Sequence, residues 1–315
     1  MADNGTDAAT QTFLDHRELL FAVAYNMLGT VTDAEDVLQE TWLSWTARTD
    51  AGKAGRAPEV EHPRAYLVRI TVRQALGRRA RIARRRETYV GPWLPEPLLT
   101  DVPPAEGAGE DAAERALRTE SVSLTLLVVL ETLTPLERAV FVLHEVFGYA
   151  HTETADILGR SPAAVRQLAH RARAHVRARR PRYHAHPRVR RQATQRFLAA
   201  ALGGDLGALL EILAPRATLW TDGGGKAQAA PRPIQGRDKV ARAVTGFAAR
   251  QAAGLEIQHR DVNGDAAVVV FADGSPRAVM VLDLDSDGEQ VREVYLVTNP
   301  DKLSALDPDA PHPRS

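Results

Sequence analysis

The sequence predicts a multidomain chain, two all-α modules followed by an α+β domain, on three observations. Apolar residues keep helical spacing from Phe13 to Glu87 and again from about Glu114 to Arg180; a proline-rich stretch separates these blocks; and after Leu213 the pattern changes to short β-branched runs joined by Asn-Gly and Asp-Gly turns. At 315 residues the chain exceeds one ordinary domain, and its 44% hydrophobic content is enough for packed cores. It contains no cysteine, which removes disulfides, thiolate nucleophiles and Cys-ligated zinc together and suits a reducing compartment. The polar, acidic start is unlike a signal peptide, and the longest apolar run, Leu124 to Leu130, is too short to cross a bilayer. The expectation is a cytoplasmic protein with no membrane partner.

In chain order, Phe13, Leu14, Leu19, Leu20, Val23, Met27 and Leu28 predict a first helix that stops at Gly29, the site of a left-handed cap. Thr32 with Glu35 reads as a capping box opening a second helix. Its Ala34, Val37, Leu38, Thr41, Trp42 and Trp45 form one buried stripe, which turns Asp33, Asp36, Gln39 and Glu40 outward. Pro63 opens a third helix that carries Tyr66, Leu67, Ile70 and Leu76 among arginines. Gly77 lies inside it, at a cost of roughly 1 kcal/mol against alanine, and predicts a looser or kinked helix.

Residues 89–115 hold Pro92, Pro95, Pro97, Pro103 and Pro104 with Gly107 and Gly109, so neither helix nor interior strand persists and the segment is a linker. Its Trp93-Leu94-Pro95-Glu96-Pro97-Leu98 is too apolar for a spacer and is expected to dock. In the second module, Thr134, Pro135 and Glu137 open a helix towards Gly148; His151 to Leu158 is a short helix ended by Gly159; Ser161 and Pro162 begin the last helix. That helix buries Val165, Leu168, Ala169, Ala172 and Val176 and exposes Arg166, Gln167, His170, Arg173 and Arg177, the helix-turn-helix pattern whose second helix enters a major groove. Beyond it, Arg190 to Leu213 reads as helical; Ala217 to Thr221 and a glycine-rich Asp222 to Lys226 follow, then Arg237 to Arg250 as a helix, and 255–262, 266–271, 277–284 and 291–297 as an antiparallel meander. Residues after Asp307 read as a polar tail.

Forty basic and forty acidic residues cancel, but they are segregated. One arginine block runs from Arg64 to Arg86 and a second from Arg160 to Arg191, which predicts two separate contacts with a phosphate backbone. His184 and His186 have no carboxylate near in sequence, so no metal site is expected there.

These features resemble the extracytoplasmic-function RNA polymerase sigma factors, in which only a -10-reading module (region 2) and a -35-reading module (region 4) are recognisable. The resemblance places region 2 at 8–88, region 4 at 116–182 and a further domain at 188–306. It makes Asp33, Glu35, Asp36, Gln39 and Glu40 the contact with the clamp helices of the largest polymerase subunit, where acids complement a basic surface. Tyr66, Arg69, Arg73, Arg78 and Arg79 become the contacts to the unpaired -10 strand, by stacking and phosphate neutralisation. Arg166, Gln167, His170, Arg171 and Arg173 become the -35 contacts, without spacing deciding which of them reads bases. Where the family usually has a small polar residue, this chain has Gly77.

Three further peptides resemble the signature of the SigJ-like, forty-first group, which carries a fused cone-shaped α+β domain of the SnoaL/NTF2 type: Trp93-Leu94-Pro95-Glu96-Pro97, Asp222-Gly223-Gly224-Gly225-Lys226 and Asn299-Pro300-Asp301-Lys302-Leu303. The resemblance implies that they form one regulatory contact acting in cis. It implies core RNA polymerase (clamp helices and flap) and promoter DNA as partners, no separate anti-sigma factor, no cofactor and no catalysis. The rival expectation is an isomerase-like pocket or small-molecule sensor in the last domain, with Asp222, His259, Asp261 and Tyr295 as its polar groups. A helix-turn-helix repressor working without polymerase would leave the acidic face unused.

Overall fold

The computed structural model describes residues 3–56, 58, 60–100, 122–179, 186–250, 254–285 and 287–306. The later prolines of the linker, the expected start of the second module at Glu114, Arg180, Arg182 and His184 of the basic tract, and the tail after Asp307 lie outside them. The chain forms two compact units: residues 1–85, 104–122 and 129–179 in one, and 86–103, 123–128 and 180–315 in the other.

The first unit opens with α1 (Asp3–Leu14), α2 (Arg17–Leu28), α3 (Val31–Lys53) and α4 (Pro63–Glu87). The first predicted helix is thus two, parted at Asp15 and His16, and Gly29 ends α2 in the left-handed conformation at φ 80°. The predicted capping box does not form: the cap position of α3 is Thr30, two residues earlier, and its hydroxyl donates to Asp33 Oδ2 at 2.6 Å and caps no backbone N–H. The expected stripe is buried except for Trp42, which is half-buried, and Trp45 Nε1 donates to Ala9 O at 2.8 Å, tying α3 to α1. Gly77 does not kink α4, which runs through it unbroken, and a Cβ there would meet nothing within 4 Å. Gly77→Ala is therefore expected to stabilise the chain by about 1 kcal/mol. A higher urea midpoint at unchanged m-value is the readout, and a lowered midpoint would refute it.

The same unit holds the rest of the second module: α5 (Leu124–Leu130, divided between the units after Val128), α6 (Pro135–Phe141), α7 (His151–Leu158) and α8 (Pro162–Arg179). Thr134 and Glu137 make both halves of the predicted capping box. After Phe141 the helix widens into one π turn, Val142–Val146, instead of continuing regularly to Gly148.

In the second unit α9 (Pro187–Leu202) and α10 (Leu206–Ile212) precede β1 (Leu213–Asp222), β2 (Ile234–Gln235), α11 (Arg237–Arg250), β3 (Leu255–Val262), β4 (Asp265–Ala272), β5 (Ser275–Leu284), β6 (Val291–Val297) and α12 (Pro300–Leu303). The sheet order is β2-β1-β6-β5-β4-β3. The predicted meander is β3 to β6, but β1 joins it parallel to β6, because the helical stretch between them carries the chain back across the sheet. Asn263-Gly264 and Asp273-Gly274 both have positive φ at the two hairpin turns.

Both faces of this sheet are buried. Val268, Ala278, Met280, Leu282 and Val294 pack with Phe197, Leu209 and Val240 of the helices. Ala267, Val269, Phe271, Val279, Val281, Tyr295 and Val297 pack on the other side with Leu94, Leu124 and Leu303. The linker peptide therefore serves as the sheet's second cover, an extra layer opposite the helices. Strands covered on both sides read as unbroken apolar runs, as Ala266 to Phe271 and Ala278 to Leu282 do.

Candidate functional site

Three surfaces carry the polar chemistry. The first is α8. Val165, Leu168, Ala169 and Ala172 are buried against the module, and this fixes Arg166, Gln167 and His170 on the exposed side. Arg171 Nε donates to Glu137 Oε1 at 2.9 Å and Arg173 Nε lies 3.4 Å from Glu145 Oε1, so those two of the five predicted residues are also tied to α6 and the π turn.

The second surface is where α3 meets α4, and here several expectations change. Asp33 is buried, not outward: Arg78 Nε donates to Asp33 Oδ1 at 2.7 Å and the same guanidinium pairs with Asp36. Glu35 accepts two 2.9 Å bonds from Arg17; burial pushes its carboxyl above the usual range, and Arg17 opposes this. Glu40 lies 3.8 Å from Arg78 and 3.6 Å from Arg81. Gln39 is exposed, and Leu43 one turn on is 65% exposed, an apolar group beside the acids that the helical pattern did not single out. Of the predicted -10 contacts, Arg73 is exposed and Tyr66 and Arg69 half-buried, with the Tyr66 ring 6.1 Å from Trp45. Arg78 and Arg79 are not free to face a strand in this arrangement. Arg78 is held by the acids of α3, and Arg79 is buried, donating to Met27 O at 2.8 Å and facing Glu131 Oε2 at 3.4 Å.

Glu131 also pairs with Arg138, whose side chain is fully buried and donates from Nε to Asn26 O at 2.8 Å. The carbonyls of Asn26 and Met27 belong to the last turn of α2, where helical C=O groups lack helical partners and the dipole favours cations. One arginine from each module thus satisfies the end of α2, and the Glu131 carboxylate bridges the two.

The third surface lies wholly within the second unit and gathers the three signature peptides on one carboxylate. Asp222 is fully buried at the end of β1. It accepts from Tyr89 Oη at 2.5 Å, from the Leu94 backbone N–H at 2.8 Å and from Lys302 Nζ at 2.7 Å. Lys302 also donates to Leu94 O and lies 4.0 Å from the centre of the Trp93 ring. Asn299 caps α12 through the Asp301 N–H at 3.1 Å and donates its amide to Tyr89 Oη at 2.8 Å. Burial, then the neighbouring Asp222 carboxylate, push the Tyr89 phenol above its ordinary range. The glycines are demanded by contact: a Cβ on Gly223 would fall 2.4 Å from Ala227 O, and one on Gly224, at φ 58°, would fall 2.4 Å from Asn299 Nδ2. Tyr89 was absent from the expected contacts, and its neighbouring prolines gave no sign of it. Beyond the pentapeptides, Asn263 accepts from Leu98 N at 3.1 Å, and Thr100 N donates to Asp261 O at 2.9 Å.

The four polar groups of the rival enzyme reading do not converge. Asp222 is engaged by the linker, Tyr295 points to the linker-covered face and bonds Glu293, Asp261 pairs with Arg191 at 3.0 Å, and His259 is exposed. The cavity on the helical side of the sheet is lined instead by leucine, valine, alanine, phenylalanine and similar groups.

Residues 12–86 match Sigma-70 region 2 and residues 123–176 match Sigma-70 region 4. Along the whole chain, the ECF RNA polymerase sigma factor SigJ of Mycobacterium tuberculosis is 36% identical over 299 residues, covering 91% of each chain. The probable ECF RNA polymerase sigma factor SigI of the same organism is 30% identical over 303 residues, covering 95% of this chain and 96% of that one. The crystal structure of the M. tuberculosis extracytoplasmic function sigma factor SigJ superposes with a TM-score of 0.70 at 32% identity, over 94% of this chain and 98% of that one.

Proposed function

The chain belongs to the extracytoplasmic-function RNA polymerase sigma factors, and on that premise we propose a division of labour among the three surfaces. Arg166, Gln167 and His170 enter the -35 major groove, with Arg171 and Arg173 on flanking phosphates. Tyr66, Arg69 and Arg73 meet the -10 strand. Asp36, Gln39, Glu40 and the exposed Leu43 dock on the polymerase clamp, with the flap as the second contact. Asp33, Glu35, Arg78 and Arg79 serve instead to hold the helices in register. The observation that carries the reading is α8, a basic helix held on its apolar side and exposed along Arg166, Gln167 and His170.

The packed first unit is a resting form. Promoter elements about 25 base pairs apart are separated by roughly 85 Å at 3.4 Å per base pair. A module of about 70 residues is roughly 30 Å across. Two modules held together through Arg138 on Asn26 O and Glu131 on Arg79 do not reach both elements, so polymerase must part them. The Asp222 clasp then acts in cis, by holding the peptide between the modules, and no separate anti-sigma factor is needed. The setting is the cytoplasm; among the described residues no helix is long and apolar enough to cross a membrane.

Promoter binding by purified protein with and without core polymerase is the direct test, and tight specific binding by the free protein would overturn the reading in favour of a repressor. Arg166→Ala is expected to cost about 1–3 kcal/mol in discrimination against a changed -35 base, if it reads a base edge bidentately. Equal losses on matched and mismatched promoters would reassign it to the backbone.

A further inference from the structure

The cavity on the helical side of the C-terminal sheet has a volume of about 290 Å³. It lies between α9, α11 and the strands, under Leu198, Phe247, Met280 and Leu296, and among the described residues no charged one lines it. Among the same residues its polar lining consists of Thr221 and Gln228, both on one side. At about 30 Å³ for a water-sized group, this is room for on the order of ten non-hydrogen atoms. A lining with so few polar groups holds water poorly and rejects ions, which would be desolvated there without a partner.

The polar side of the cavity is also the frame of the clasp. Thr221 immediately precedes Asp222, and Gln228, Ala229 and Ala230 follow the glycine turn. Thr221 and Ala230 hold these two segments together, with Ala230 N donating to the Thr221 hydroxyl at 2.7 Å. Thr298, next to the capping Asn299, donates from its hydroxyl to Gln228 O at 3.4 Å and from its backbone to Asp222 O at 2.7 Å. The linker passes close to the same segment, near enough that a Cβ added at Gly91 would lie 3.6 Å from Ala230 O. An occupant that shifts 228–230 therefore bears on Asp222, Asn299 and the linker together.

We propose that this cavity is a receptor site for a neutral, lipophilic small molecule with one hydroxyl or carbonyl group placed against Thr221 and Gln228, and that its occupancy changes the hold of Asp222 on the linker. The consequence for transcription rests on the sigma-factor reading above. The tests below use neither polymerase nor DNA, so their failure is separate from a failure of that reading.

The probe is 2-naphthol, titrated into the full chain by fluorescence, with 2-naphthoate as its anionic counterpart. Saturable binding of 2-naphthol is expected, at least tenfold tighter than 2-naphthoate. Ala243→Trp, which fills the cavity from α11, is expected to weaken it at least tenfold; Ala248→Met on the same helix is the milder alternative should the first fail to fold. Saturating probe is expected to change hydrogen exchange at the Leu94 amide, which is bound to Asp222, at least threefold. Non-saturable uptake, equal binding of both naphthalenes, binding unaffected by either filled variant, or an unchanged Leu94 amide would each overturn the proposal.

Discussion

Asp222→Ala is expected to lower the stability of the chain by about 3–5 kcal/mol and to free the Leu94 amide to exchange. The substitution removes a buried carboxylate on which three donors converge, and the cost arises chiefly from what it leaves behind. Lys302 has a side chain only 7% exposed, and without Asp222 its ammonium loses the carboxylate at 2.7 Å while keeping Leu94 O and the Trp93 face. The Leu94 N–H and the Tyr89 hydroxyl each lose their acceptor in the same place. Two comparisons make the expectation specific. Asp222→Leu combined with Lys302→Met removes both charges and is expected to be milder than Asp222→Ala alone, because neither member of the pair is left buried without the other. Lys226→Ala breaks the neighbouring pair with Asp301, whose side chains are 57% and 61% exposed, and is expected to cost less than about 1 kcal/mol. Urea unfolding of the full chain measures all three. A Lys226 effect as large as that of Asp222 would show that the clasp is not organised on the buried pair.

How much of this was legible differs between elements for identifiable reasons. In the second module nearly every helix boundary coincides with a local signal, as at Thr134, Gly159 and Pro162, because short-range capping chemistry decides where these helices begin and end. The α3 cap was misread because Thr30 and Thr32 both have an acid three residues on; which pair is used depends on where the chain leaves Gly29. The expectation that Asp33 faces outward failed for a long-range reason. Its partner is Arg78, more than forty residues away on α4, and helical spacing carries no information about what packs against a face. The gathering of the three peptides was anticipated from the apolar hexapeptide and the signature resemblance. The two-sided burial of β4 and β5 was also written in their unbroken apolar runs and could have assigned the hexapeptide its place against the sheet. Tyr89, by contrast, became a partner of Asp222 only through the fold.

Glu131→Ala is the second substitution with a large expected effect, and its outcome separates two roles for the packing of the modules. In the packed form it takes the Glu131 carboxylate from the fully buried guanidinium of Arg138 and from that of Arg79 at 9% exposure, while their bonds to the helix-end carbonyls stay. The penalty for the packed form is again about 3–5 kcal/mol. The chain can meet it by unfolding the first unit, or by parting the modules so that both arginines regain water. If packing is a resting form, the second route is the cheaper: helical content is retained and the modules separate, which makes promoter binding by the polymerase complex stronger than in the wild type. The absence of native cysteine permits the distance to be followed directly, with labels on Gln11→Cys and Asp156→Cys, both exposed positions and one in each module. A longer label distance with unchanged far-ultraviolet dichroism is the expected result. Loss of dichroism at an unchanged distance would instead make the Arg79–Glu131–Arg138 cluster part of the fold's permanent core. In that case Arg79→Met, Glu131→Leu and Arg138→Met together should restore stability while keeping the modules closed, since replacing the whole cluster by apolar groups removes the buried charge that the single substitution strands.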